Sequence, residues 1–137
     1  MDKIEGLNRN VVAEFRANGG KVSGPWDSID LLLLHTVGAR SRHARVNPVG
    51  YVCYGDDLLI VASVGGAPHH PAWYWNLKAH PRTVIEIGNE TVAVVASEVG
   101  ADEHARLWAI VTEALPVMLE YQTLTTRRLP IFRLSPT

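Results

Sequence analysis

Val49-Gly50-Tyr51-Val52-Cys53-Tyr54-Gly55-Asp56-Asp57-Leu58-Leu59-Ile60-Val61-Ala62-Ser63 is the stretch that decides the fold. Two β-rich runs, 49–54 and 58–63, meet at Gly55-Asp56-Asp57, which is a hairpin signal. A second pair, 83–87 and 91–97, is rich in β-branched residues and turns around Gly88-Asn89-Glu90. Upstream, residues 30–37 carry Leu31 to Leu34 in succession, which suits a strand buried on both faces. That run is too short for pattern alone to exclude a helix. Residues 130–134 supply a closing strand. About six strands, two hairpins and no regular strand–helix alternation argue against a doubly wound sheet. The expectation is a mainly β (α+β) chain forming a small, mostly antiparallel barrel with peripheral helices. Such a barrel leaves a groove for a flat ligand.

The helices follow from spacing and punctuation. Ile4, Leu7, Val11, Val12 and Phe15 recur near helical period over residues 4–18, and Asn18-Gly19-Gly20 supplies a left-handed stop. Gly24-Pro25-Trp26-Asp27 reads as a turn and residues 38–47 as a polar loop. Pro71 opens a short helix to about Ala79, and Pro81 follows it. Residues 102–115 read as a helix with Asp102 and Arg106 paired on one face. Pro116 interrupts it, and residues 117–125 form a second short helix. The chain of 137 residues, 47% of them apolar, is the size of one domain and too apolar for a disordered tail. No apolar run approaches the length of a membrane span. The start, Met1-Asp2-Lys3-Ile4-Glu5, lacks the apolar stretch of a secretory signal, so a cytoplasmic protein is expected. The lone Cys53 excludes an internal disulfide and a cysteine-cluster metal site.

Charge is distributed unevenly. Between Leu31 and Tyr54 there is no Asp or Glu, yet Arg40, Arg42, Arg45, His35 and His43 fall there. Gly38, Ser41 and these arginines offer backbone N–H groups, a hydroxyl and planar guanidinium forks, the donors that suit phosphate or carboxylate oxygens. A loop charged only for solubility fits the same residues. A formal charge of −1 and the lack of aromatic–basic alternation argue against nucleic acid. In Ser63-Val64-Gly65-Gly66-Ala67-Pro68-His69-His70-Pro71-Ala72-Trp73-Tyr74-Trp75-Asn76-Leu77, the two glycines admit close approach of a ligand or backbone. First-turn N–H groups of the helix that follows can face an anion. Trp73, Tyr74 and Trp75 cannot all point inward, since helical neighbours are ~100° apart. Either one of them flanks a ligand or partner, or Trp73 and Leu77 anchor the helix while Tyr74 and Trp75 lie at the surface. Adjacent His69 and His70 have no partner at ligand spacing, so no metal is expected. Met118 and Tyr121 share a helical face that suits either a cover over a substrate or an ordinary helix–barrel contact. Arg127-Arg128 reads as a solvated pair. With no nucleophile elbow, P-loop or dinucleotide fingerprint, any hard chemistry falls to a bound cofactor.

Gly38-Ala39-Arg40-Ser41 with Arg45 and Asn47-Pro48 resembles the phosphate loop of the deazaflavin (coenzyme F420)-dependent nitroreductase family. Gly65-Gly66-Ala67-Pro68, His70-Pro71-Ala72-Trp73-Tyr74, Asn76-Leu77 and Ala79 resemble its most specific signature. Glu14-Phe15-Arg16-Ala17-Asn18-Gly19-Gly20 and Tyr121-Gln122, Thr126-Arg127 and Pro130 match it too, so the likeness covers nearly the whole chain in order. The resemblance implies a single split β-barrel domain over residues 1–137. It also implies coenzyme F420, an 8-hydroxy-5-deazaflavin with a phospholactyl-oligoglutamate tail, as the cofactor. Its reduced form would pass a hydride to a quinone, nitroaromatic or activated enone, a small hydrophobic acceptor. A non-catalytic protein binding the deazaflavin, FMN or haem is the alternative.

Carried over by position, the resemblance puts Ala39, Arg40, Ser41 and Arg45 on the phosphate or tail. Val46, Asn47, Pro48, Val49 and Gly50 would line the ring's edge through backbone groups, with Val61, Ala62 and Ser63 beside the deazaflavin. Ala72, Trp73, Tyr74, Trp75 and Asn76 would bind phosphate or tail at the helix start. Met118 and Tyr121 resemble the lid over ring and substrate, and Ser63 or Tyr121 would orient the acceptor and supply a proton. Two positions depart from the family pattern. Arg42 stands where the loop usually has Gly, which strains it if that position needs a positive φ. Val64 replaces the usual Lys before the glycine pair. A homodimer is expected from an exposed Trp75, and peripheral membrane contact through Trp26 and the first helix stays open.

Overall fold

The computed structural model describes residues 3–22, 29–63 and 66–137; the turn read at 24–27, with Trp26, and the positions Val64 and Gly65 lie outside these described residues. The four consecutive leucines lie in β1 (Leu31–Val37) and divide between two apolar layers. Leu31 and Leu33 pack with Val11 and Phe15 of α1 (Lys3–Ala17). Leu32 and Leu34 join the barrel interior with Trp73 and Leu77 of α2 (Ala72–Ala79). A strand between two layers needs apolar side chains at every position, because successive residues face opposite sides.

Six further strands pair with it: β2 (Ala44–Gly50), β3 (Val52–Tyr54), β4 (Asp57–Val61), β5 (Arg82–Ile87), β6 (Glu90–Glu98) and β7 (Ile131–Pro136). Two more helices, α3 (Ala101–Ala114) and α4 (Val117–Thr123), separate β6 from β7. The sheet order is β2-β1-β5-β6-β7-β4-β3, and every pairing is antiparallel. The two edge strands, β2 and β3, are consecutive in the chain with only Tyr51 between them. One residue cannot span an open sheet of this width, so the sheet curls back on itself as a half-barrel. This is the split-barrel arrangement. Both expected hairpins form, Tyr54 opposite Asp57 and Ile87 opposite Glu90, with Gly55 and Gly88 at positive φ as the first turn residue.

The structure departs from the sequence reading at three points. There are seven strands, because the run at 49–54 breaks at Tyr51, whose N–H donates to the Asp30 carbonyl rather than to a ladder. Strand β2 begins at Ala44, inside the stretch read as loop. It is an edge strand with a single ladder partner, which is why it tolerates polar Arg45 and Asn47 and the donor-less Pro48. Arg106 bonds Glu103 and the Tyr54 hydroxyl instead of pairing with Asp102.

Where α1 meets β5, Arg16 grips the Glu86 carboxylate through two N–H groups at 3.0 and 2.6 Å, and His35 Nε2 lies 2.6 Å from it. The Arg16 bonds, aided by His35 and opposed by burial, lower the Glu86 pKa from 4.5 to about 2. Between those values the unfolded chain holds a proton that the folded one does not, so stability from this group is complete above the unfolded pKa and lost as pH falls through about 2. Glu86→Gln is therefore expected to destabilise at about pH 6 and much less at about pH 2.5, read from urea midpoints at the two values.

Candidate cofactor cleft

Where the barrel opens beside β2, a cleft of about 410 Å³ runs between strand backbone and helix ends. Its size lies in the range of small-molecule sites, about 300–1,000 Å³. Asn47, Pro48, Val49 and Gly50 of β2 form one side, and Val61 and Ser63 follow from the end of β4. His69, Pro71, Ala72 and Trp73 come from the start of α2, and Leu115, Val117, Met118 and Tyr121 from the α3–α4 corner. Ile29 and Leu31 complete the lining, and no Asp, Glu, Lys or Arg contributes to it among the described residues. An uncharged, mainly apolar slot with a few hydroxyl, amide and imidazole groups suits a flat heteroaromatic ring.

The arginine loop precedes β2, at the end of the strand away from Gly50. Thr36 pairs with Arg45 and Leu34 with Asn47, so Arg45, Asn47 and Val49 alternate onto the barrel face of the strand. Arg40, Arg42 and Arg45 are exposed, and among the described residues none bonds a carboxylate. The turn is closed by the Arg42 N–H on the Gly38 carbonyl and the Gly38 N–H on that of His43, both at 2.9 Å. Arg42 has φ +61°, the one non-glycine residue with positive φ among the described residues. The left-handed conformation that glycine takes freely is thus held by a side-chain-bearing residue, at a cost of roughly 1–2 kcal/mol.

Asn76 ties this loop to α2. Its Oδ1 accepts the Ala39 N–H at 2.9 Å and its Nδ2 donates to the Thr36 hydroxyl at 3.1 Å, with the side chain buried. Asn76→Ala leaves a loop N–H and a buried hydroxyl without partners, and should cost about 2 kcal/mol. A drop in thermal midpoint of several degrees checks it; an unchanged midpoint contradicts the tie.

The opposite wall depends on Arg127. Its Nε donates to the Ala67 carbonyl at 3.0 Å, Nη1 to that of Ala62 at 3.1 Å, and Nη2 to that of Ser63 at 3.0 Å. Nη1 also donates to His70 Nδ1 at 3.1 Å. Far from being solvated, this guanidinium ties the segment from Ala62 to His70, and burial lowers its pKa. Gly66 then lets that segment meet α4. A Cβ there would sit 2.7 Å from the Tyr121 carbonyl oxygen, and its φ is +84°.

The chain matches the F420H(2)-dependent quinone reductase family over residues 7–136. It belongs to that family. Membership makes it an oxidoreductase and coenzyme F420 its cofactor. An F420H(2)-dependent quinone reductase of Mycobacterium tuberculosis (strain ATCC 25618 / H37Rv) is 42% identical over 107 residues, which cover 76% of this chain and 72% of that relative. Among solved structures, an F420-H2 dependent reductase (FDR-A) superposes with a TM-score of 0.69 at 36% identity, covering 77% of this chain and 93% of that one. A structure described as a domain-swapped dimer gives a TM-score of 0.72 at 29% identity, covering 96% and 98%.

Within this member of the quinone reductase family, Asn47, Pro48, Val49, Gly50, Val61, Ser63, Ala72, Trp73, Met118 and Tyr121 all line the cleft. Ala39, Arg40, Ser41 and Arg45 lie in or beside the arginine loop. Five expected residues turn their side chains elsewhere. Val46 packs on the α1 side, and Ala62 lies in the core. Tyr74 is buried and donates to Glu98 Oε1 at 3.0 Å, which, after burial, raises its pKa. Trp75 is 55% exposed and Asn76 is spent on the loop. Of the two open readings, Trp73 and Leu77 do anchor the helix, but Tyr74 joins them and Trp75 alone is left outside. Ile29, Leu31, His69, Pro71, Leu115 and Val117 went unforeseen as lining; the break at Pro116 was the local signal for the last pair. No described helix is long and apolar enough to cross a membrane, and no cluster of described residues could hold a metal ion.

Proposed function

We propose that the chain acts as one deazaflavin-binding domain that reduces a quinone, nitroaromatic or activated enone at the expense of reduced F420. The observation that carries this reading is an uncharged cleft lined by the C-terminal half of β2, a strand whose N-terminal end follows a loop of exposed arginines that bond no carboxylate among the described residues. The residues fit the cofactor's two chemistries, a flat ring and an anionic tail. Arg40, Ser41 and Arg45 would hold the tail, as planar forks and a hydroxyl suit phosphate and carboxylate oxygens. The backbone from Asn47 to Gly50 would border the ring, and Ala72 and Trp73 would present first-turn N–H groups. When bound, the reduced deazaflavin supplies a hydride. The protein's part is alignment and exclusion of water, with Met118 and Tyr121 covering the cleft. The Ser63 and Tyr121 hydroxyls would orient the acceptor and hold the proton that must accompany the hydride. The solved relative described as a domain-swapped dimer supports a homodimer, with the exposed Trp75 on its surface.

Stopped-flow mixing of the reduced complex with menadione or a nitroaromatic tests the reading. Reoxidation that saturates with acceptor is expected. Binding of F420 with no reoxidation across a panel of acceptors would make the protein a carrier instead.

A further inference from the structure

Arg127 lies in the connection between α4 and β7, some sixty residues along the chain from the carbonyls it holds. Three acceptors are backbone oxygens and cannot titrate. The fourth is His70 Nδ1, which accepts from Nη1 only while that nitrogen is unprotonated. The imidazole itself is fixed by stacking on Tyr74, with centroids 4.0 Å apart and planes 16° from parallel, and by the edge of Trp75 at 5.4 Å. It therefore cannot rotate away without leaving both rings.

We infer that Arg127 is the positioning residue of the cleft, setting the Ala62–Ser63 wall and the approach to α2, and that His70 makes this setting dependent on pH. The inference rests on the reading of the cleft as the F420 site. Protonation of His70 removes the fourth acceptor and places a second cation against the guanidinium. The charged and titratable groups facing His70 are Arg127 from the α4–β7 connection, Glu98 from β6, Tyr74 on α2, and His69 beside it. Glu98 is the one anion among them, and it is already engaged by the Tyr74 hydroxyl and by Lys78 Nζ at 2.8 Å. Burial first, then Arg127, lowers the His70 pKa below 6.5, with Glu98 opposing and His69 adding slightly. The depressed value means that the clamp is complete above the unfolded pKa and is lost as pH falls through the folded one.

His70→Asn separates the effects, because an amide oxygen can accept from Arg127 but cannot titrate in this range. In the ligand-free protein, amide exchange of residues 66–73, corrected for the intrinsic rate, should speed up at least about fivefold between pH 7.5 and pH 5.5 in the wild type and stay level in H70N. Fluorescence titration with oxidised F420 should show the same pattern: the ratio of wild-type to H70N dissociation constants rises at least about fivefold on acidification, and the ligand's own ionisation cancels in that ratio. Arg127→Lys, whose single ammonium cannot span four acceptors, should weaken binding about tenfold at pH 7.5 and remove the pH difference. Equal acid sensitivity of exchange in wild type and H70N would overturn the inference. The expected exchange pattern without any F420 binding at pH 7.5 would uphold the clamp and count against the cofactor reading alone.

Discussion

Gly66→Ala is expected to lower stability by about 3 kcal/mol and to remove most F420 binding. Two independent costs add. At φ +84° an L-residue is strained wherever there is room, and here there is none, since the new methyl would lie 2.7 Å from the Tyr121 carbonyl oxygen and 3.0 Å from Leu124 Cβ. A carbonyl on a helix cannot move alone, so the contact pushes α4 away from the segment that Arg127 holds. Met118 and Tyr121, which line the cleft, move with that helix. For a chain of this length, 3 kcal/mol corresponds to a thermal midpoint roughly 10 °C lower. Thermal melting and F420 titration of the same sample check both parts. A variant that melts with the wild type and binds normally would show that the close approach of loop and helix is not needed.

Replacing Arg40 and Arg45 together by Ala should weaken F420 binding by about 3 kcal/mol or more, at least a hundredfold, with little change in stability. The second half of that expectation is structural. Both side chains are exposed, and the loop's shape is held by its own backbone bonds and by Asn76, not by the guanidiniums. A folded variant with lost affinity therefore isolates recognition from folding. The wild-type affinity should also fall as salt is raised, and the double variant should lose most of that dependence.

Much of the architecture is legible without coordinates because its signals are local. A leucine run, two glycine-led turns and β-branched flanks each declare themselves within a dozen residues. The start of β2 is not legible in this way. Arg45 and Asn47 look like loop and become strand only because β1 offers a ladder and the outer edge needs no partner. Arg127 fails for a related reason. Its role is defined by carbonyls at Ala62, Ser63 and Ala67, and backbone oxygens leave no mark in a sequence. Asn76 is intermediate: family likeness singled it out, whereas its hydrogen bonds show it holding the loop instead of facing the cleft. Arg42 stands in the sequence where positive φ would strain it, and positive φ is the conformation it adopts.

The proposed site holds the ligand in two parts, ring in the uncharged cleft and anionic tail on the arginine loop. Parallel fluorescence titrations with intact F420 and with its chromophore stripped of the phospholactyl-glutamate tail measure the two parts separately. The wild type should prefer the intact cofactor by at least about a hundredfold, and the Arg40/Arg45 double variant should lose most of that preference while binding the bare ring as the wild type does. A double variant that keeps the wild-type preference for the tail would contradict the account.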